Sequence, residues 1–378
     1  MRAVVRALGF AALLLRPAGV RAGGDDWHRS IDPARCDSAE AIEYPPTQRW
    51  IRHRLVPGES LAQVAARYGV READLRAHNG IDSRVPTLVV GATLRVKARR
   101  VPPPRREVLY TAREGDSWAS VARAHGVSSK QLRAHHYTRE RGWHAPLREG
   151  TALRIWVDPV VHDWLRAGRP DDTIARGGVG IGAPDTGELR HGVAIPEGEG
   201  YTLRFPDASF GTSHAVGELV RALADFRART DYEGTLELGT MSREHGGALG
   251  DHRSHRTGRD LDIALPRRVD VPGWMPLTPR RVDWRALWDL ALALAEVDAT
   301  VVYLDYTLQR DFYRAMRAEG VGDEALRRIL QYPRGHKANL GLVRHAPGHD
   351  THVHVRFGCG PCETECIELG AWAGGPAR

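Results

Sequence analysis

Two windows of this sequence, far apart along the chain, each make chemical sense only beside the other. Seven of the 18 histidines fall within residues 245–255 and 345–354. Thr351–Phe357 alternates with period two, so a strand there carries His352, His354 and Arg356 on one face and Val353, Val355 and Phe357 on the other. Asp260–Leu265 alternates likewise and presents Asp260, Asp262 and Ala264. Between the first histidines and these carboxylates stands Thr257-Gly258, a turn that can fold His255 back toward Asp262. Neutral imidazoles and carboxylates converging from two strands are a donor set suited to Zn²⁺, which in catalytic sites takes three protein ligands and a water.

A chain of 378 residues is long enough for two or more domains, and 42% hydrophobic content with 10 Trp suffices for packed cores. Met1–Arg6 is basic, Ala7–Leu15 is apolar, and Val20-Arg21-Ala22 ends on small residues, the three parts of a signal peptide cleaved after Ala22. No cysteine follows the apolar part to take a lipid, and no run of about 20 apolar residues marks a transmembrane segment. Export to the periplasm, cell wall or exterior is the expectation. Cys36, Cys359, Cys362 and Cys366 are then expected to pair as disulfides, with three connectivities open. The net charge of +7 is spread over the whole chain, which suits an anionic wall or membrane surface and argues against nucleic acid as a partner.

Residues 53–97 and 110–156 repeat each other. Gly58 and Gly115, Gly69 and Gly126, Leu75 and Leu132, and His78 and His135 pair at an offset of 57, which becomes 59 at Gly91 and Gly150. Each copy reads as a strand, a helix capped by Ser60 or Ser117, a second short helix, and a closing strand at Thr93–Val96 or Ala152–Trp156. This βααβ pattern resembles the LysM module, which implies binding to N-acetylglucosamine-containing glycans. The first copy keeps the module's Asn79-Gly80. The second has His136-Tyr137 there and a longer basic loop through Trp143, and reads as a degenerate copy. Val101–Arg106 between them is a stiff, proline-rich linker.

Asp158–Gly182 reads as a charged, glycine-rich connector. Beyond it, Val216, Leu219, Val220, Leu223 and Phe226 mark a helix beginning near Thr212-Ser213, and Asp283 caps another through Leu294. Thr235–Thr240 and Val301–Leu304 read as strands, and Gln309–Glu319 as a helix. The irregular alternation predicts an α+β catalytic domain with a small, mostly antiparallel central sheet and surrounding helices. The expected boundaries are a signal peptide at 1–22, an N-terminal arm at 23–50, module 1 at 51–98 and a linker at 99–107. Module 2 follows at 108–157, a connector at 158–174, a catalytic domain at 175–371 and a tail at 372–378.

The pattern His252-x-x-His255-x-Thr-Gly-x-Asp260-x-Asp262, followed by His349-x-x-His352-x-His354-Val-Arg, resembles the penicillin-insensitive murein endopeptidases. These belong with lysostaphin and the D-Ala-D-Ala carboxypeptidases among zinc peptidases. The likeness extends to Gly182-x-Pro-x-x-Gly-x-Leu189, Phe210-Gly-Thr212 and the Cys359–Cys366 spacing. It implies zinc held by His255, Asp262 and His354, with His352 as general base and His252 and His349 flanking the site. It implies a Cys359–Cys366 disulfide, which leaves Cys36 for Cys362. The implied partner is peptidoglycan, both its cross-linked stem peptides and its glycan strands. The implied reaction is hydrolysis of the D-Ala–diaminopimelate bond by zinc-activated water, without a covalent intermediate. A D,D- or L,D-carboxypeptidase and a non-catalytic wall-binding protein are the alternatives. Asp260 is expected to orient a ligand imidazole. Arg356 is expected to pair either with Asp260 or with a substrate carboxylate. Nothing in the sequence fixes an oligomeric state.

Overall fold

The computed structural model describes residues 36–37, 47–82, 90–137, 142–167, 174–250, 252–273 and 275–369. The signal segment, most of the N-terminal arm and the C-terminal tail lie outside the described residues.

Each repeat folds as its pattern requires. In module 1, β1 (Trp50–Arg54) is followed by α1 (Leu61–Arg67), α2 (Glu72–Asn79) and β2 (Thr93–Lys97), and β1 pairs antiparallel with β2. Ser60 caps α1 by accepting from the Gln63 N–H, while the Gln63 side chain accepts from the Ser60 N–H, a reciprocal capping box. Module 2 repeats this with β3 (Arg106–Thr111), α3 (Trp118–Ala124), α4 (Ser129–His136) and β4 (Ala152–Val157). Leu61, Val64, Leu75, Leu94 and Val96 fill the first small core, and Trp118, Val121, Leu132, Leu153 and Ile155 the second.

The connector contains a helix that the sequence reading did not anticipate. In α5 (Pro159–Arg166), Asp158 caps the helix through the Val160 N–H and Pro159 occupies the first turn, where its missing N–H costs nothing. Val160, Val161 and Trp164 pack with Val179, Ile181 and the Cys36–Cys362 disulfide. The signal was present in Asp158-Pro159 and the apolar spacing after it. The glycines downstream outweighed it.

The large domain begins with β5 (Val179–Ile181), β6 (Glu188–Arg190), β7 (Val193–Ala194), β8 (Tyr201–Leu203) and β9 (Phe210–Gly211). Then come α6 (Ser213–Arg229), β10 (Leu236–Leu238), β11 (Asp260–Ala264), α7 (Trp284–Ala295) and β12 (Ala299–Tyr303). The chain closes with α8 (Tyr306–Ala318), α9 (Asp323–Ile329), β13 (Val343–Arg344) and β14 (His352–Phe357). Six strands form one sheet in the order β13-β12-β14-β11-β10-β8. Its centre is antiparallel, and the outer pairs β12–β13 and β10–β8 are parallel. Thr212 and Asp283 cap α6 and α7 as the sequence predicts. Helices α6 to α9 join the sheet's apolar face in one core that includes Leu219, Phe226, Leu261, Ile263, Leu287, Phe312, Val353 and Val355. No helix among the described residues is long and apolar enough to cross a membrane.

The modules are not strung on a free linker. Pro102 and Pro103 are buried, and the Pro103 carbonyl accepts a hydrogen bond from the Arg67 guanidinium. Arg67, only 1% exposed, lies 2.9 Å from Asp158 and 3.6 Å from Glu365 of the large domain. Arg105 bridges Glu59 of module 1 and Glu365. Asp158 also accepts from the Thr364 hydroxyl at 2.6 Å. Both disulfides, Cys36–Cys362 and Cys359–Cys366, form beside this junction in the expected pairing, with Cα separations of 5.1 and 5.8 Å.

Candidate metal centre

Register decides what the two histidine windows can do together. β11 and β14 pair so that Asp262 stands opposite His354, Asp260 opposite Arg356 and Ala264 opposite His352. Leu261, Ile263, Val353 and Val355 thereby turn to the core, and the polar set shares the other face.

His255 reaches this floor from the preceding turn. Its φ of 64° is left-handed, a conformation in which histidine is more at home than bulky apolar residues. Gly258 makes the same turn possible, because at φ 70° a Cβ there would stand 2.8 Å from the Gly211 Cα. The His255 Nδ1 donates to the Met241 carbonyl at 3.1 Å. That bond leaves Nε2 as the lone-pair nitrogen. Buried and without a hydrogen-bond partner, this Nε2 lies 3.4 Å from Asp262 Oδ1.

Asp262 is the hub. Its Oδ1 lies 3.1 Å from His354 Nδ1 and 3.7 Å from His352 Nε2, while Oδ2 accepts from the Thr240 hydroxyl at 3.1 Å. Although burial opposes ionisation, the adjacent His255 and His354 imidazoles hold this carboxyl well below the usual carboxylate range. His354 Nε2 is bonded to Asp260 Oδ1 at 3.1 Å. Burial alone would lower its pKa, yet the hydrogen bonds to Asp260 and Asp262 raise it to about 9. Arg356 donates from Nε to Asp260 Oδ1 at 2.7 Å and from Nη2 to Oδ2 at 3.3 Å. Of the two roles open to Arg356, the structure therefore displays the pairing with Asp260.

The remaining histidines surround the hub. His252 Nδ1 lies 3.8 Å from Asp262 Oδ2, and one donor atom each from His252, His255 and Asp262 fall within 4.8 Å of one another. His252 is thus closer to the donor group than a flanking role implies. His354 closes the group from the far side of Asp262, its ring 4.7 Å from that of His255. His352 is partly exposed, and burial, offset in part by Asp262, lowers its pKa. His349 donates to the Pro347 carbonyl at 3.1 Å and packs 5.1 Å from His352 and 5.5 Å from His354. Burial and then the neighbouring imidazoles lower its pKa. His345 accepts from the Tyr306 N–H and serves the loop rather than the hub.

Tyr303 escaped the sequence reading. It pairs opposite His354 on β12, with its ring 5.7 Å from His354, 6.0 Å from His349 and 5.9 Å from the Arg356 guanidinium. Only the strand register, which no motif encodes, puts it there. The Met241 carbonyl and the Thr240 hydroxyl were equally invisible.

These residues fit a zinc ion. An oriented, unpartnered imidazole nitrogen, an ionised carboxylate between imidazoles, and a carboxylate bonded to the far nitrogen of His354 are what such a site needs.

A search of curated proteins finds no match to the chain. Among solved structures, similarity is found to the Bacillus cereus spore cortex-lytic enzyme SleL at 15% identity, covering 72% of this chain and 48% of that one. Its TM-score is 0.12, too small to bear on the fold, and the chain spans about half of that enzyme's length. The LysM domain family matches residues 53–97 and 110–135, so the two βααβ modules are similar to LysM domains in sequence as well as in their order of elements.

Proposed function

We propose that this chain is an exported zinc metallopeptidase that cleaves the peptide cross-links of peptidoglycan, held on the glycan by its LysM-like modules. The observation that carries the reading is the buried, unpartnered Nε2 of His255, aimed at the Asp262 oxygen that His354 approaches from the opposite strand. His255, Asp262 and His354 would hold the ion, with His252 beside them. A zinc ion bound there supplies a Lewis acid and lowers the pKa of a coordinated water to about 7.

The chain's own residues do the rest. Asp260 fixes the His354 ring through Nε2 and is itself held by Arg356. Thr240 and the Met241 carbonyl lock Asp262 and His255, so the donors need no reorganisation when the ion binds. His352, whose lowered pKa keeps it neutral near pH 7, stands beside Asp262 where it can accept a proton and return it to the leaving amine. His349 and Tyr303 wall the space next to His354.

The reading is tested by metal content and products together. Purified protein should carry one zinc and convert cross-linked sacculi to uncross-linked muropeptides, read by mass spectrometry. Release of D-alanine alone would move the assignment to a carboxypeptidase. Full activity in metal-free protein would remove the zinc mechanism.

A further inference from the structure

The two modules are not equivalent in what they leave open. At the β1–α1 turn of module 1, a Cβ on Gly58 would stand 2.7 Å from the Gln131 Cα, so α4 of module 2 sits on that turn. Gln63 accepts from Gln131 and donates to Glu188, which wedges the start of α1 between module 2 and the large domain. Its exposed Trp50 is already covered by the Arg95 guanidinium at 4.9 Å and by His78. Asn79 is engaged as well. Its amide donates to the Leu75 and Arg95 carbonyls and accepts from the Arg95 N–H, clasping α2 to β2.

In module 2, His136 Nε2 stands at that place, 3.1 Å from the Arg154 carbonyl and 3.2 Å from its N–H, and serves one of the two according to its tautomer. His136 thus fills part of the asparagine's place, and at the equivalent turn a Cβ on Gly115 would meet no atom of the described residues within 4 Å. Module 2 also holds a cavity of about 260 Å³ lined by Trp118, Arg133, His136, Tyr137, Trp143 and Arg148 among others. The Trp118 indole N–H donates to the Ala145 carbonyl at 2.9 Å and fixes the far wall. Its ring stacks on His136 at 6.2 Å, and Tyr137 and Trp143 face each other at 6.2 Å while remaining exposed. Among the described residues no Asp or Glu lines the cavity, and none gives Arg133 or Arg148 a carboxylate partner. The buried Nε of Arg133 has no hydrogen-bond acceptor.

We propose that this cavity of module 2 is a binding site for a sugar ring that bears a free carboxylate. The C–H faces of a pyranose pack on aromatic rings, and these rings cost little entropy to hold in place. Guanidiniums that no carboxylate among the described residues neutralises call for an anion. At about 260 Å³ the space lies just below the usual range of about 300–1,000 Å³ for small-molecule pockets, which suits one ring and its substituents. In peptidoglycan, muramic acid freed of its stem peptide has this chemistry. The proposal rests on the reading of the modules as glycan-binding and is independent of the metal centre.

The test uses the full chain in calorimetric titrations with three probes. These are chitotetraose, a peptide-free tetrasaccharide alternating N-acetylglucosamine and N-acetylmuramic acid, and a free stem peptide. The muramic tetrasaccharide should bind at least about tenfold tighter than neutral chitotetraose, a gap of about 1.4 kcal/mol. Arg148→Gln should abolish that preference, and Trp143→Ala should weaken both sugars at least about tenfold. Far-UV circular dichroism and Tm check that these surface variants fold. Equal binding of both sugars, a stem peptide that binds as well as the tetrasaccharide, or no effect of either substitution overturns the proposal. Duplex DNA binding that falls with Trp143→Ala would transfer the site to nucleic acid. If insoluble sacculi retain the parent and Trp143→Ala alike, only this cavity is refuted. If sacculi do not retain the parent at all, the wall-binding reading falls with it.

Discussion

Replacing Arg67 by methionine keeps most of the side chain's volume and removes its charge. In the parent, Arg67 is 1% exposed and holds Asp158 at 2.9 Å, Glu365 at 3.6 Å and the Pro103 carbonyl. Methionine would leave two buried carboxylates short of a cation. Breaking one side of a buried pair costs about 3–5 kcal/mol, most of it the desolvation of the charge left behind. Asp158 keeps its bonds from Thr364 and the Val160 N–H, and Glu365 keeps Arg105, so the lower end, about 3 kcal/mol, is expected. At about 2–4 °C per kcal/mol, that is a fall in Tm on the order of 10 °C. The comparison is Arg71→Ala. Arg71 pairs with Asp74 at 2.7 Å, but its side chain is 79% exposed, and solvent screening leaves such a pair little weight in stability. Urea titration and calorimetry of both variants give the contrast, and native-state proteolysis shows whether the junction opens first. A cost for Arg67→Met no larger than that for Arg71→Ala would refute the buried-junction argument.

Four further outcomes are expected. Alanine at His255, Asp262 or His354 should abolish stoichiometric zinc by mass spectrometry, whereas His352→Ala should keep the metal and lose turnover. One tightly held zinc in His354→Ala would reject that assignment. Activity should survive excess penicillin, disappear with phenanthroline and return with added zinc. Labelling by a fluorescent penicillin would contradict this. His191 donates to the Val127 carbonyl at 2.8 Å, and burial pushes its pKa down to about 4, below its unfolded value of about 6.5. The unfolded chain then binds more protons between those values, so stability is full above about pH 6.5 and lost as pH falls toward 4. His191→Asn, which tolerates the φ of 55°, should flatten the acid side of the Tm–pH curve, and an unchanged slope would exclude His191 as its source. A chain beginning at Gly177 should bind sacculi less well, and it should also melt earlier, because Glu365 loses both Arg67 and Arg105.

Local signals in the sequence carried far where physics is local. The capping serines, the alternation in 260–265 and 351–357, and the Asp283 cap all survive in the structure, since each depends on neighbours along the chain. The register that sets Asp262 opposite His354 was implied by the polar faces but not determined by them. What stayed hidden was set by long-range packing. Tyr303 arrives from a third strand, α5 is stabilised by a disulfide and by β5, and the proline-rich segment is buried by an arginine from the first module. In the second module the place of Asn79, which clasps α2 to β2, is taken by His136, whose Nε2 stands beside the Arg154 backbone, and only the folded geometry displays that equivalence.

The buried junction also governs how the protein explores its surroundings. A flexible leash would let a bound enzyme sweep every bond within a sphere. Here the segment between the modules is pinned by Arg67 and Arg105, and Cys362 of the large domain is stapled to Cys36, so the modules and the large domain turn as one block. If module 2 grips a strand as proposed, the histidine cluster stands at one distance and one orientation from the grip. Such a molecule acts as a gauge. Its cuts would be spaced by its own dimensions, and bonds that are close but wrongly angled would be passed over.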